Sequence, residues 1–147
     1  MPKSARKRRA GSLRESQLAT PVQAWLEGQG LTVHCEVRLA AKQVDLVGVP
    51  NDPDSHPWTG VELKLFKWKR ALAQATANAV VFDNNYVALW HTSVARAVDA
   101  REAFEAAGVG LISVCESGVN VVIPARAQKW FGQMASKKAI RERLIEA

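Results

Sequence analysis

Residues 60–75 read GVELKLFKWKRALAQA, and two periodicities meet within them. Val61, Leu63 and Leu65 alternate with Glu62 and Lys64, the period-two pattern of a strand. From Lys67 to about Ala79 the pattern turns helical and alanine becomes frequent. A strand therefore ends near a lysine and runs almost directly into a helix. It carries a carboxylate and an amine on one face, and that pair needs a partner.

The segment upstream provides one. QVDLVGV (43–49) reads as a strand, and PNDPDSHPW (50–58) is dense in turn residues. Opposed residues of an antiparallel hairpin have a constant sum of numbers. A turn centred near Asp54 makes that sum about 107 and sets Asp45 opposite Glu62. Like charges in opposed positions destabilise a hairpin, so two carboxylates there call for a cation between them. Lys64, two residues on, shares their face.

Hard divalent cations suit such a place. Magnesium takes one or two carboxylates, keeps several waters and meets phosphates. A cation so held orients and acidifies water and stabilises a charged phosphoryl transition state. Lys64 would then position or deprotonate the attacking water, or offset phosphate charge. A solvated hairpin face with a structural ion pair is the plain alternative.

Around this centre the other elements fall into order. Ser12-Leu-Arg-Glu15 and Thr20-Pro-Val-Gln23 have capping-box spacing, which predicts a helix over about 12–27, broken at Thr20 and closed by Gly28 and Gly30. LTVHCEVRLA (31–40) alternates as a strand with Leu31, Val33, Cys35, Val37 and Leu39 on one face. NYVALWH (85–91) is a further strand. Residues 93–107 form one amphipathic helix with Ser93 as N-cap and Gly108 as terminator. VGLISVC and VNVVIPA make a strand pair, and a basic helix follows from about Gln128. The order α-β-β-β-α-β-α-β-β-α is that of an α/β or α+β fold.

Asp45, then sixteen residues, then Glu62-Leu63-Lys64, resembles the site of the PD-(D/E)xK nuclease superfamily, with Val44 where proline is common. The resemblance implies a restriction-endonuclease-like core: helix, three-stranded meander, helix and strand, over 12 to about 90. It implies that Asp45 and Glu62 hold Mg²⁺, with Mn²⁺ as a substitute, and that Lys64 is the catalytic lysine. It also implies that Gln74 points into the site, since WKRALAQA is similar to the helix start beside the ExK of such proteins. A literal Pro53-Asp54 also precedes Glu62-Leu-Lys64, but Asp54 belongs to the turn and is rejected. Glu36 is a candidate ligand for a second metal or, equally, a solvated edge charge. Glu15 stands where relatives place an extra acid, though a capping role ranks above that. Lys67, Arg70, Gln74 and Asn78 share a helical stripe, while Trp68 and Leu72 pack.

Charge and composition bound these readings. The chain has 147 residues, 48% of them apolar and 23% charged, enough for one domain with a core. Five of its 20 basic side chains lie in residues 1–9, and the remainder carries 15 basic against 14 acidic groups. Residues 1–11 are thus expected to be a disordered basic arm able to meet phosphates, 12–127 the nuclease-like domain and 128–147 a basic helix. No window approaches the ~18 apolar residues of a membrane span. Cys35 and Cys115 read as reduced, buried thiols, and a cytoplasmic location follows. The expectation is a metal-dependent deoxyribonuclease with DNA as partner and a homodimer allowed. The alternative is a catalytically silent nucleic-acid- or protein-binding module of the same fold.

Overall fold

The alternating runs pair in chain order. In the computed structural model, which describes residues 14–39, 42–53, 56–127 and 142, six strands form one sheet. They are β1 (Leu31–Leu39), β2 (Lys42–Pro50), β3 (Thr59–Lys64), β4 (Asn84–Trp90), β5 (Gly110–Cys115) and β6 (Gly118–Ile123). β1, β2 and β3 are an antiparallel meander, β4 and β5 run parallel to β3, and β6 returns antiparallel. The basic arm, Ser12, Asp54 and, Glu142 apart, the expected C-terminal helix lie outside the described residues.

Two parallel crossovers determine where the helices go. α2 (Trp68–Asn78) links β3 to β4, and α3 (Val94–Val98) with α4 (Arg101–Ala107) links β4 to β5. Crossovers of one hand stepping in one direction cover one face of a sheet. Ala71 and Ala75 of α2, Val94 and Ala97 of α3 and Phe104 of α4 accordingly pack with Val87, Leu89 and Leu111. The other face is covered by α1 (Ser16–Glu27). Its Leu18, Val22 and Leu26 recur every four residues and meet Leu46, Val61, Leu63, Ala88, Ile112 and Val114. The fold is mixed α/β with a mixed six-stranded sheet.

Five expectations need correction. α1 is not broken at Thr20: it runs through Pro21, because the buried stripe on either side of the proline holds the helix on the sheet. The single helix expected over 93–107 is a 3₁₀ turn, His91–Ser93, followed by α3 and α4, with Asp99 and Ala100 between them. Ser93 makes no side-chain cap bond, whereas Gly108 does end α4, at φ +72°. The thiols are not buried: Cys35 is exposed and Cys115 half-buried.

The last correction concerns β1. Strict alternation would keep Val37 with Leu31 and Val33, yet Val37 packs with Val44, Val47, Val49, Trp58, Val81 and Phe82. The change of partners coincides with Glu36, whose φ of +51° is the left-handed region, costly for any residue with a Cβ. Trp58 anchors this third cluster. It is fully buried, its indole N–H donates to the Pro53 carbonyl (2.9 Å), and its backbone N–H donates to Asp83 (2.9 Å).

Candidate active site

The hairpin register is the expected one. Leu46–Val61, Val47–Gly60 and Gly48–Thr59 are the β2–β3 pairs, and one step further brings Asp45 opposite Glu62. There Asp45 replaces a rung of the ladder: its Oδ2 accepts the backbone N–H of Leu63 at 2.7 Å. On the other side of β2, the pairs Cys35–Leu46 and Val37–Val44 flank Glu36 and Asp45. Glu36, Asp45 and Glu62 thus stand on one line across three strands, with the left-handed Glu36 at its outer end.

Glu62 is 2% exposed, a carboxylate between apolar Val61 and Leu63 on a central strand. Burial, then the charge of Asp45, pushes its pKa from 4.5 up to about 7, against the opposing pull of Asn78 and Lys64. Asp45 is also raised by burial, opposed by the Leu63 N–H and Lys64, with Glu15 and Glu36 adding repulsion. Two partly desolvated acids, one of them raised further by the charge of the other, are a site short of positive charge. Lys64, the last residue of β3, provides part of it and also reaches Glu15 at 3.7 Å. That pair joins side chains 20% and 47% exposed, and such surface ion pairs contribute little stability. Lys64 can exchange it for another anion.

α2 approaches the carboxylate from above. Asn78, 3% exposed, donates its amide N–H to Glu62 Oε2 at 2.9 Å, holding the acid by the oxygen it grips. One turn earlier, the Oε1 of Gln74 is buried with no hydrogen-bond partner among the described residues. A buried acceptor without a donor costs about 1–3 kcal/mol, so its place invites a donor or cation. Asn78 was legible only as the end of the Lys67–Arg70–Gln74–Asn78 stripe. The burial that gives it a partner arises when α2 lies down on β3.

Not every candidate converges. Among the described residues, no three Asp, Glu, His or Cys side chains are grouped tightly enough to hold a metal between them. Glu36 is exposed and acts on Asp45 through its charge, without forming a three-ligand cage with Asp45 and Glu62. Glu15 precedes α1 with no capping bond from its side chain, which instead meets Lys64. Lys67 and Arg70 are exposed, and Trp68 stacks at 5.9 Å on Phe104. The Asp45–Glu62 pair fits an ion that uses one or two carboxylates and otherwise water, which is the habit of Mg²⁺.

The raised pKa of Glu62 has a consequence for stability. Between pH 4.5 and about 7 the folded protein keeps a proton that the unfolded chain has released. Metal-free stability should therefore fall as pH rises through that window and level off above it. Thermal melts in chelator across pH 4–8 check this, with Glu62→Gln expected to show the shallower decline. Parallel curves for the two proteins would show that Glu62 ionises as it does in water.

No protein-family model and no curated protein matches the chain. Among solved structures, a protein of unknown function from Silicibacter pomeroyi is similar, with a TM-score of 0.62. The match is 20% identical and covers 92% of this chain and 94% of that one. At that identity the likeness speaks for the fold alone.

Proposed function

We propose that the chain is a Mg²⁺-dependent nuclease that hydrolyses DNA phosphodiester bonds, built on a PD-(D/E)xK, restriction-endonuclease-like core. The observation that carries the reading is the pair Asp45 and Glu62, two desolvated carboxylates on neighbouring strands, with Lys64 two residues beyond Glu62. The element order supports it: α1, the meander β1–β2–β3, α2, then β4 parallel to β3.

Asp45 and Glu62 would hold the ion, and their raised pKa values express the same need for positive charge. Bound there, Mg²⁺ supplies a water of lowered pKa and neutralises phosphate charge. The protein's own groups do the positioning. The Leu63 N–H holds Asp45 Oδ2, and Glu62 accepts from the Asn78 amide and from the backbone N–H of Asp45, which keeps both carboxylates oriented. Lys64, released from Glu15, orients the attacking water and offsets the charge that grows on the phosphoryl oxygens. Gln74 accepts from a water or donates to phosphate beside them.

The test is incubation of the full-length chain with plasmid, linear, single-stranded and branched DNA, with Mg²⁺ or Mn²⁺ and with chelator. Cleavage with metal and none in chelator is expected. Metal-independent DNA binding without cleavage of any substrate would instead favour a catalytically silent module of the same fold. Gln74 offers a graded test. Gln74→Ala removes positioning rather than chemistry and should slow cleavage by about 10–100-fold at limiting Mg²⁺. Gln74→Glu should tighten cation binding yet repel phosphate. Wild-type rates in both variants would make Gln74 a packing residue.

A further inference from the structure

The segment that carries Lys64 into α2 presents a ring that the site described above does not use. Phe66 is 64% exposed, the most exposed large apolar side chain among the described residues. Its neighbour Leu65 packs into the core on the α1 side with Val61 and Leu63, so Phe66 faces away from that core. The backbone around it is held. Trp68 N–H donates to the Phe66 carbonyl at 3.0 Å, and Lys67 between them has φ −86° and ψ 70°, the form of an inverse γ-turn. The ring is therefore held out to water by a tight turn two residues from Lys64.

Its surroundings are cationic. Lys67, Lys69 and Arg70 are exposed, and no acidic residue occurs between Glu62 and Asp83. Lys69 lies over the Trp68 ring at 5.7 Å, while Lys67 directly follows Phe66 and Arg70 is in the first turn of α2. An exposed aromatic ring among cations is how proteins hold single-stranded nucleic acid, with bases stacked on the ring and phosphates on the charges. Within a duplex the base faces are already covered by neighbouring pairs, so such a ring gains contact only where a strand is unpaired.

We infer that Phe66 is a base-stacking platform that makes single-stranded DNA the preferred ligand at the mouth of the Asp45–Glu62–Lys64 site. The inference deepens the nuclease reading and rests on it for the placement of the scissile phosphate. Binding is measured with the full-length chain in chelator, by anisotropy of a labelled oligothymidylate, a blunt duplex of equal length and an abasic strand. Phe66→Ala should weaken oligothymidylate binding roughly tenfold. It should leave the duplex, the abasic strand and the salt dependence unchanged, and Phe66→Trp should restore affinity. Arg70→Gln should instead flatten the slope of log K against log salt by ~0.7 per lost contact on single strands. Equal losses on oligothymidylate and abasic strand, or no loss on either, would overturn the inference and leave Phe66 to a protein partner. Because nothing is cleaved in chelator, single-strand binding through Phe66 without turnover in Mg²⁺ would sink the nuclease reading and keep this one. Turnover without any effect of Phe66→Ala would do the reverse.

Discussion

Glu62→Gln should abolish DNA cleavage while making the metal-free protein more stable at pH 8. The two effects have one origin. Glu62 is almost fully buried beside Asp45, and above about pH 7 it carries a charge that burial and its neighbour both oppose. Glutamine keeps the shape and an oxygen to accept from Asn78, and the mutant loses the repulsion. It also loses a carboxylate that the cation needs. Metal catalysis supplies several kcal/mol of charge stabilisation, so the rate should drop on the order of 10³-fold or more. Mg²⁺ should raise the melting temperature of the wild type at pH 8 by binding only the folded state, and should leave Glu62→Gln unmoved. Asp45→Asn should likewise be inactive, and it retains an acceptor for Leu63 N–H, so loss of folding would not explain the result. Asp54→Ala should cleave as the wild type does. A Glu62→Gln protein that melts lower than wild type in chelator at pH 8 would contradict the assignment.

Lys64→Ala should also lose most of its cleavage but for a different reason, and the metal separates the two. Removing Lys64 takes away the amine that orients water and offsets phosphoryl charge, but neither carboxylate. It also deprives Asp45 and Glu62 of the nearby positive charge that partly offsets their repulsion. Mg²⁺ should therefore still stabilise the Lys64→Ala protein thermally, by at least as much as it does the wild type. Cleavage should fall by on the order of 10²–10³-fold, the cost of losing a transition-state charge donor. The fold should tolerate the change, since the ion pair with Glu15 is long, at 3.7 Å, and Glu15 is 47% exposed. Loss of both cleavage and Mg²⁺ stabilisation would place Lys64 in the structural support of the site.

The strands were readable because their code is local. Alternation in 43–49 and 60–64, with turn residues between, was sufficient to place Asp45 opposite Glu62, since an antiparallel register follows from the position of its turn. The helix after Lys64 was equally legible from its change of period, and Trp68 and Leu72 pack as expected. Where local signals misled, tertiary packing had overridden them. Thr20-Pro21 has the chemistry of a helix start, but Leu18, Val22 and Leu26 bind one continuous helix to the sheet across it. The pattern of 93–107 is amphipathic throughout, yet the chain divides between Val98 and Arg101. Cys35 looked buried by alternation and is exposed on a strand that changes its packing partners at Glu36.

By itself, the sequence determined the order of the elements, the hairpin register and the identity of the charged groups near its centre, because each depends on residues close along the chain. Only the tertiary structure decided how those groups behave. Glu62 is raised to about 7 because β2 and β4 flank its strand, α2 lies over it and the charge of Asp45 stands beside it, which no pattern within β3 records. Asn78 becomes its partner because α2 lies across that strand, sixteen residues along the chain from Glu62. The outward turn of Phe66 depends on Leu65 finding a place in the α1-side core. Desolvation and the contacts of an aromatic ring are properties of what the rest of the chain places around a residue, and they exist only once it has folded.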